Sequence, residues 1–231
     1  MERKLIITKD GSHSVSIPEM SAHAGTDGNV TYHSIHGAIQ ESMHVFIEAG
    51  LRYFINSSSP KRLNLLEIGF GTGLNALLTT IEAEKTETSI YYAALEPYPL
   101  SNEEVHSLNY CQLLVRKDLQ EDFIKMHQCE WNKSIVVTEN LLLHKSNFTL
   151  QTFEHTTQFD LIYFDAFAPA VQPELWTKEI FEKLYGMMAA GGILVTYCSK
   201  GDVRRAMLAA GFHVEKIPGP KGKREMVRAR K

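Results

Sequence analysis

Residues 63–78 constrain the fold more than any other stretch of the chain. Residues 63–68 are a short, mainly apolar run, typical of a strand that is buried on both faces. Gly69, Gly71 and Gly73 follow, and apolar side chains then recur at helical spacing, at Leu74, Leu77, Leu78 and Ile81. A strand, a glycine-rich turn and a helix in this order predict a loop that binds a nucleotide-like ligand.

The chemistry of this glycine loop narrows the choice of ligand. Its spacing is Gly-x-Gly-x-Gly, not the Gly-x-Gly-x-x-Gly of a pyrophosphate site. A carboxylate, Glu67, precedes the first glycine by two residues and suits a ligand with a cationic amino group. S-adenosylmethionine, with its ammonium and sulfonium charges, fits this pattern, and the alternative is a generic strand-to-helix turn. The cofactor-binding candidates in this loop are Glu67, Gly69, Phe70, Gly71 and Gly73.

A second acidic residue ends the next predicted strand. Residues 90–95 are apolar and β-prone, and Glu96 and Pro97 follow directly. A carboxylate at the tip of this strand, about 20 to 30 residues beyond the glycine loop, can bind both hydroxyls of a ribose. We therefore assign Glu96 and Pro97 to the cofactor site, with an ordinary surface glutamate as the alternative.

A third carboxylate, Asp165, ends the buried strand predicted over residues 159–165. Methyl transfer from a sulfonium needs a lone pair on the acceptor, and an alkyl amine is mostly protonated at neutral pH, so some group must accept its proton. Asp165 can orient such an amine, and Phe167 in the following loop can cover a planar base. We assign Asp165 as catalytic, and Phe167 and Pro169 as substrate-binding. An N-cap or loop-closing aspartate is the alternative.

Composition excludes several classes of protein. The 231 residues are 44% hydrophobic and 22% charged, which is ordinary for a soluble globular protein. No apolar run approaches the ~20 residues of a membrane span, and three scattered cysteines predict reduced thiols in a cytoplasmic protein. His33, His36 and His44 lack a partner at ligand spacing, so we predict no metal and expect loop or substrate-facing histidines.

The order of elements predicts one main domain with an extension. Residues 1–60 predict an extension packed on the core, with a hairpin over 4–20, a loop over 21–30 and a helix over 35–54 that Gly50 ends or kinks. In residues 61–231 strands alternate with helices, which predicts a doubly wound, mostly parallel α/β sheet with an antiparallel last strand, the Rossmann-like architecture of class I methyltransferases. The further helices are expected over 101–108, 120–126, 173–190 and 202–210, and the further strands over 135–137, 148–153, 193–197, 212–217 and 225–229.

Charge is distributed unevenly along the chain. Residues 200–231 contain ten Lys and Arg against three Asp and Glu, although the whole chain has a net charge of −3. Such a basic region fits a surface that faces phosphates, or else a solubilising tail. Lys223 and Arg224 lie in a turn rich in Gly and Pro between the last two strands, and we assign them to substrate phosphates. The next candidates are Lys200, Arg204 and Arg205.

The run from His33 to Phe46 resembles the amino-terminal segment of the bifunctional MnmC family. Four further motifs resemble the methyltransferase half of that family. They are Leu-Glu-Ile-Gly-Phe-Gly-Thr-Gly-Leu-Asn (66–75), Phe-Asp-Ala-Phe-Ala-Pro-Ala-Val-Gln-Pro-Glu-Leu-Trp-Thr (164–177), Gly-Asp-Val-Arg-Arg-Ala (201–206) and Pro-Gly-Pro-Lys-Gly-Lys-Arg-Glu-Met (218–226). The resemblance implies S-adenosylmethionine-dependent methylation of the 5-aminomethyl group on the wobble (2-thio)uridine of tRNA, giving 5-methylaminomethyl-(2-thio)uridine. It also implies that Asp165 is the catalytic carboxylate and that the partner is the anticodon stem-loop.

The sequence departs from that fused family in two ways. It ends at Lys231, without an FAD-dependent oxidoreductase half, which resembles the stand-alone MnmD-type enzymes, so we expect a separate enzyme to supply the aminomethyl precursor. The Gly-Asp pair that often precedes strand four is missing, and only Glu154 stands near that place to contact an adenine. The alternative functions are a methyl- or aminopropyltransferase for a small-molecule amine, and an RNA-binding protein without catalysis.

Overall fold

A computed structural model describes residues 2–18 and 30–231 of the chain. In these residues a small sheet contains β1 (Lys4–Ile7), β2 (His13–Ile17) and β3 (Val30–Thr31). A larger sheet contains β4 (Arg62–Ile68), β5 (Ser89–Leu95), β6 (Ser134–Thr138), β7 (Leu141–Ser146), β8 (Phe159–Phe164), β9 (Met188–Thr196), β10 (His213–Pro218) and β11 (Glu225–Arg230).

The strand order confirms the predicted architecture. The larger sheet runs β10-β11-β9-β8-β4-β5-β7-β6. Strands β7, β5, β4, β8 and β9 pair in parallel, and β11 is antiparallel to β9 and to β10. At the other edge of this sheet, β6 pairs antiparallel with β7. This is a doubly wound, mostly parallel sheet with an antiparallel last strand, so ligands are expected at the carboxyl ends of its central strands.

Helices cover both faces of the larger sheet. Helix α1 is continuous through Ala38–Ser42, wider π turns at Met43–Arg52, and Tyr53–Ser58. The other helices are α2 (Leu74–Ala83), α3 (Asn102–His106), α4 (Tyr110–Leu113), α5 (Gln120–Gln128), α6 (Lys178–Met187) and α7 (Gly201–Ala209). Short 3-10 turns occupy Lys117–Leu119 and Pro173–Leu175. Two of the helices have a side-chain cap at the amino end: Ser101 forms a capping box with Glu104 at the start of α3, and Thr177 caps α6.

Strand β4 lies between two hydrophobic cores. Leu63 and Leu65 face a core shared with α1 and α2, whereas Leu66 and Ile68 face a core shared with α6 and α7. Alternate side chains of a strand point to opposite faces, so an apolar run of this kind is stable only with helices on both sides. The strand tip and the glycine turn are therefore fixed by packing from both layers.

The strand predicted over residues 148–153 is wrong, and β7 is the strand that sequence reasoning missed. Strand β7 carries Lys145, a cation that conceals its apolar pattern, yet the Lys145 side chain is buried. Its Nζ donates to the Met126 carbonyl at 2.9 Å, near the carboxyl end of α5. Leu150 and Phe153 are buried as predicted for apolar residues, but they reach the core from an irregular loop.

The helix predicted over residues 173–190 is also wrong at its carboxyl end. Helix α6 ends at Met187, and Gly191 and Gly192 lie inside β9 and do not cap the helix. A Cβ on Gly192 would lie 3.0 Å from the Ala189 carbonyl oxygen and 3.1 Å from that of Asp160. Gly192 therefore permits a close approach where the register of β8 and β9 shifts, whereas Gly191 supplies a positive φ of +77°.

The amino-terminal region packs on the larger sheet through α1. The hairpin of β1 and β2 is confirmed, and the loop predicted over residues 21–30 lies outside the described residues except for its last residue, which begins β3. Gly50 does not end α1. A Cβ there would lie 3.0 Å from Val195 and 3.2 Å from Tyr163, so the missing side chain lets the helix approach the sheet closely. The division of the chain at residue 60 stays a prediction.

Within residues 2–18 and 30–231, no helix combines the length and the apolar character that crossing a membrane requires.

Candidate active site

A cavity of about 690 Å³ opens at the carboxyl ends of β4, β5 and β8. It also receives residues from the amino-terminal region and from the turn between β10 and β11. The sequence-predicted residues that line it are Gly69, Phe70, Gly71, Glu96, Pro97, Asp165, Phe167 and Lys223. Four other sequence-predicted residues do not line the cavity: Glu67, Gly73, Pro169 and Arg224.

The glycine loop and Glu96 are joined by hydrogen bonds. One Glu96 carboxylate oxygen accepts from the Gly71 N–H at 2.7 Å, and the other accepts from the Tyr98 N–H at 2.8 Å. Gly69 has a φ of +89°, and a Cβ there would lie 2.7 Å from the Asp165 carbonyl oxygen. Only a glycine therefore lets β4 turn this close to the end of β8. Burial raises the pKa of Glu96, although these two N–H groups oppose the shift.

The residues around Glu96 fit S-adenosylmethionine in chemistry and in space. Each Glu96 oxygen accepts one backbone hydrogen bond and keeps lone-pair capacity for a ribose hydroxyl. The wall beside it is formed by Pro97 and the loop of residues 148–151, which offers Phe148 and Leu150 to an aromatic base. Glu154, the acidic residue that stands near the place of the missing Gly-Asp pair, is exposed and does not line the cavity.

Glu67 lies beneath the cavity. Its side chain is fully buried, and its Oε1 accepts from the Asn75 amide at 2.9 Å. Its other oxygen has no hydrogen-bond partner among the described residues. Burial raises the pKa of Glu67 well above its usual value. The assignment of Glu67 to the cofactor ammonium stays a prediction, and its carboxyl touches Asn75.

Asp165 is the carboxylate that faces the cavity. It follows β8 directly, and its N–H donates to the Ile68 carbonyl at 3.0 Å. Its Oδ2 accepts from the Asn75 amide at 3.0 Å. Burial chiefly, and then the negative charge of Glu41, raise the pKa of Asp165 to about 7, while Asn75 and Lys223 act in the opposite direction. A carboxyl that titrates near neutral pH can accept a proton from an ammonium group.

The loop after Asp165 is fixed by three hydrogen bonds. The Trp176 indole N–H donates to the Phe167 carbonyl at 2.8 Å, and the Phe167 N–H donates to Gln172 at 3.1 Å. The Tyr197 hydroxyl donates to the Ala166 carbonyl at 2.8 Å. The Phe167 ring meets Tyr32 edge to face, with centroids 5.1 Å apart. Phe167 therefore forms a rigid aromatic wall, as its assignment to a planar base requires, whereas Pro169 does not line the cavity.

Lys223 reaches the cavity from the turn between β10 and β11. Its Nζ donates to Glu41 at 2.6 Å and lies 3.9 Å above the Tyr197 ring. Arg224 is exposed and does not reach the cavity. Two neighbours in one turn thus have different surroundings: Lys223 is half-buried and paired with Glu41, whereas Arg224 is exposed. The assignment of both to substrate phosphates stays a prediction.

Two of the three amino-terminal histidines pack against the turn between β10 and β11, whereas His33 lies in a loop and lines the cavity. His44 contacts the Pro218 carbonyl through Nε2 at 2.9 Å, and His36 packs against Gly222, so both support the turn that carries Lys223. His33 bonds the Ser14 hydroxyl, and burial lowers its pKa to about 4. In the described part of the chain, no three His, Cys, Asp or Glu side chains converge as metal ligands.

Sequence reasoning missed several residues of the site. The cavity is also lined by Arg3, Tyr32, Glu41, Asn75 and Tyr197. Asn75 stands inside the quoted glycine motif and its position offered a signal. Glu41 lies inside the run from His33 to Phe46 and Tyr32 directly precedes it, but nothing in that run indicated a place in the site. Only the folded chain shows the positions of these residues and of Arg3 and Tyr197.

The chain is similar to proteins of known family. Residues 103–231 match a family described as S-adenosyl-L-methionine-dependent methyltransferase. The tRNA 5-methylaminomethyl-2-thiouridine biosynthesis bifunctional protein MnmC of Aromatoleum aromaticum is 32% identical over 210 residues, which cover 86% of this chain and 32% of that protein. The MnmC protein of Idiomarina loihiensis is 27% identical over 233 residues, which cover 94% and 38%. The chain thus spans about a third of the length of these relatives.

A solved structure shares the fold. MnmC2 from Aquifex aeolicus superposes with a TM-score of 0.73 at 22% identity, over 99% of this chain and 70% of that one. At this identity the likeness shows the fold alone, and it confirms the predicted fold class. The sequence similarity to the two MnmC proteins above confirms the resemblance that the sequence motifs indicated.

Proposed function

The chain belongs to a family of S-adenosyl-L-methionine-dependent methyltransferases, and on that premise we propose that it methylates the 5-aminomethyl group of the wobble (2-thio)uridine in tRNA. The product is 5-methylaminomethyl-(2-thio)uridine. The observation that carries this proposal is Asp165, a carboxyl with a pKa of about 7 at the wall of the cavity, next to the glycine loop. The relatives named for this modification support the choice of acceptor.

Some side chains of the cavity bind the cofactor, and others bind the methyl acceptor. When bound, S-adenosylmethionine supplies a methyl group on a positively charged sulfur. Glu96 binds the ribose hydroxyls, and the missing side chain of Gly71 makes room for the Tyr32 ring in the cavity wall. Asp165 accepts one proton from the aminomethyl ammonium, which leaves the nitrogen lone pair free to attack. Phe167 covers the uracil ring and excludes water from the reacting nitrogen.

Exposed basic side chains near the cavity mouth support an RNA substrate. Lys200 and Lys223 both act on the Cys198 thiol, which places Lys200 close to the acceptor side of the cavity. Arg204 and Arg224 both act on Glu225, so these two guanidinium groups share one face. We propose that this face binds phosphates of the anticodon stem-loop and that Lys223 keeps its ion pair with Glu41.

The same proposal has consequences for the cell. A tRNA substrate implies work in the cytoplasm. The methyl acceptor is a primary amine on uridine, so a separate enzyme must first install the aminomethyl group. The runner-up is methyl or aminopropyl transfer to a small-molecule amine, which Asp165 and Glu41, two of the carboxylates that line the cavity, would also attract.

One labelling experiment separates these functions. The protein is incubated with S-adenosylmethionine labelled in the methyl group and with tRNA bearing 5-aminomethyluridine, unmodified tRNA, or a panel of polyamines. We expect label in the first tRNA alone, in a nucleoside whose mass matches 5-methylaminomethyluridine or its 2-thio form. Label in polyamines without label in tRNA would overturn the proposal in favour of the runner-up. Labelling of neither class would reject methyl transfer to an amine.

A further inference from the structure

The amide of Asn75 connects two carboxyl groups. Its nitrogen donates one hydrogen to Glu67 Oε1 at 2.9 Å and the other to Asp165 Oδ2 at 3.0 Å. Asn75 lies in the first turn of α2, Glu67 lies on β4 and Asp165 follows β8, so three elements meet at one side chain. Both amide hydrogens are used, and the assignment of the nitrogen follows from its two acceptors.

The two carboxyls differ sharply in their surroundings. Glu67 is fully buried, and burial raises its pKa more than the Asn75 amide and the nearby Tyr92 phenol lower it. Its second oxygen has no partner at full hydrogen-bond geometry among the described residues. Asp165 opens into the cavity. Two negative charges on one amide in a buried place would repel strongly, so one carboxyl must stay neutral. Desolvation selects Glu67 for that state.

Every other charged or titratable group that acts on Asp165 comes from a different element. Glu41 acts on it from α1 and Lys223 from the turn before β11. Two phenols also interact with it, Tyr92 from β5 and Tyr197 from the end of β9. Glu41 and Lys223 form an ion pair with each other, so their effects on Asp165 oppose one another. Asn75 is the group that donates a hydrogen bond directly to the Asp165 side chain among the described residues.

We propose that Asn75 is a positioning residue: its amide aims the Asp165 carboxylate at the acceptor nitrogen and stabilises its charge, while Glu67 is a neutral, buried anchor for that amide. The proposal rests on the proposed role of Asp165 as the proton acceptor. Asn75 acts through Asp165 and makes the wall of the cavity rigid between the cofactor loop and the acceptor. Asn75, at the end of the glycine motif, therefore positions the carboxylate that accepts the proton.

The decisive measurement uses the protein without cofactor or tRNA. Aspartate carboxyl carbons are labelled with 13C and followed by NMR against pH, and the Asp165 resonance is identified as the one missing in Asp165→Asn. In Asn75→Leu, loss of a hydrogen bond to a charged group should raise the Asp165 midpoint by about one to two pH units. The matched control is Thr79→Val, one turn further along α2, where a buried hydroxyl contacts Tyr163 at 3.4 Å and not Asp165.

A second variant tests the state of Glu67. If Glu67 is neutral, Glu67→Gln leaves the Asp165 midpoint within about half a pH unit of wild type, because no charge is removed. A fall of one unit or more in Glu67→Gln would show that Glu67 is charged and would reject its role as a neutral anchor. An unchanged midpoint in Asn75→Leu would reject Asn75 as a positioning residue.

Kinetics extend the same test to turnover. The acidic limb of the pH profile of methyl transfer should move upward in Asn75→Leu, so that its rate is about tenfold below wild type at pH 7 and recovers toward pH 9. A merely structural defect would lower the rate at every pH. If wild-type protein transfers no methyl group to tRNA, the proposed function fails, whereas the NMR midpoints still decide the role of Asn75.

Discussion

The two halves of the cavity are built in opposite ways. The cofactor half takes the glycine loop and Glu96 from neighbouring parallel strands, and a hydrogen bond of 2.7 Å joins them across 25 positions of sequence. The acceptor half unites residues from α1, the end of β8, the end of β9 and the turn before β11. Its ion pair between Glu41 and Lys223 spans 182 positions.

This difference shows where each half is vulnerable. A strand followed by a glycine turn and a helix forms the cofactor half locally, so a single change there should weaken cofactor binding and leave the acceptor groups in place. The acceptor half depends on the docking of distant segments, which His44 supports by its contact with Pro218. A change there should alter turnover or RNA binding with little effect on the cofactor.

The largest effect is expected at the centre of the acceptor half. Asp165→Asn keeps shape and hydrogen bonding but removes the charge that accepts the proton. We expect single-turnover methyl transfer to fall by about 100-fold or more, with S-adenosylmethionine affinity changed little. Asp202→Asn, on the exposed first turn of α7, is the control. A near-normal single-turnover rate in Asp165→Asn would reduce Asp165 to a group that only orients the acceptor.

The second-largest effect is expected at Glu96, in the cofactor half of the cavity. Glu96→Ala removes the carboxylate for the ribose hydroxyls and the acceptor of the Gly71 and Tyr98 N–H groups. We expect affinity for S-adenosylmethionine to weaken by about 1–3 kcal/mol, as is typical for hydrogen bonds to a charged group. Titration calorimetry measures the affinity, and Glu154→Ala, at an exposed position away from the cavity, is the control. Unchanged affinity would contradict the assignment of Glu96.

A third test uses stability and pH to isolate Asp165. Its pKa is raised from 3.8 to about 7 in the folded protein. Because the pKa is higher in the folded state, the folded protein binds this proton more tightly than the unfolded chain does. Protonation of Asp165 therefore stabilises the fold, and this contribution is complete below pH 3.8 and is lost as the pH rises through about 7. Asp165→Asn should therefore gain stability over wild type between pH 4 and pH 8, on the order of 2–4 kcal/mol. Urea unfolding at several pH values measures the gain, and a constant difference would contradict a raised pKa.

The smallest effect concerns the two neighbours at positions 223 and 224. Arg224→Ala should raise the apparent KM for tRNA a few-fold and reduce the slope of log affinity against log salt by about 0.9 for one lost phosphate contact. Lys223→Ala should lower turnover instead, because the lost ammonium leaves Glu41 unpaired beside Asp165. Arg62→Ala, at the amino end of β4 and away from the cavity mouth, is the control. An unchanged salt slope in Arg224→Ala would move the RNA surface toward Lys200 and Arg204.

Much of this protein was readable from its sequence because the information lies within short segments. The apolar run before Gly69, the glycines and the carboxylates at strand ends predicted the central sheet, the crevice and the roles proposed for Glu96 and Asp165. Each of these rests on periodicity and turn chemistry over a few residues. The same reasoning failed at β7, where the buried Lys145 conceals a strand, and at the end of α6, where residues 188–190 belong to β9 and Gly192 permits a close backbone approach.

Only the tertiary structure decided which neighbours these residues have. It placed Glu67 under the cavity, put Asn75 between two carboxyls, and turned Lys223 inward to Glu41 while its neighbour Arg224 faces outward. It also brought Tyr32 from the amino-terminal region against Phe167. Sequence alone cannot supply such contacts, because they join segments that are distant in the chain, and their geometry depends on how every layer between them packs.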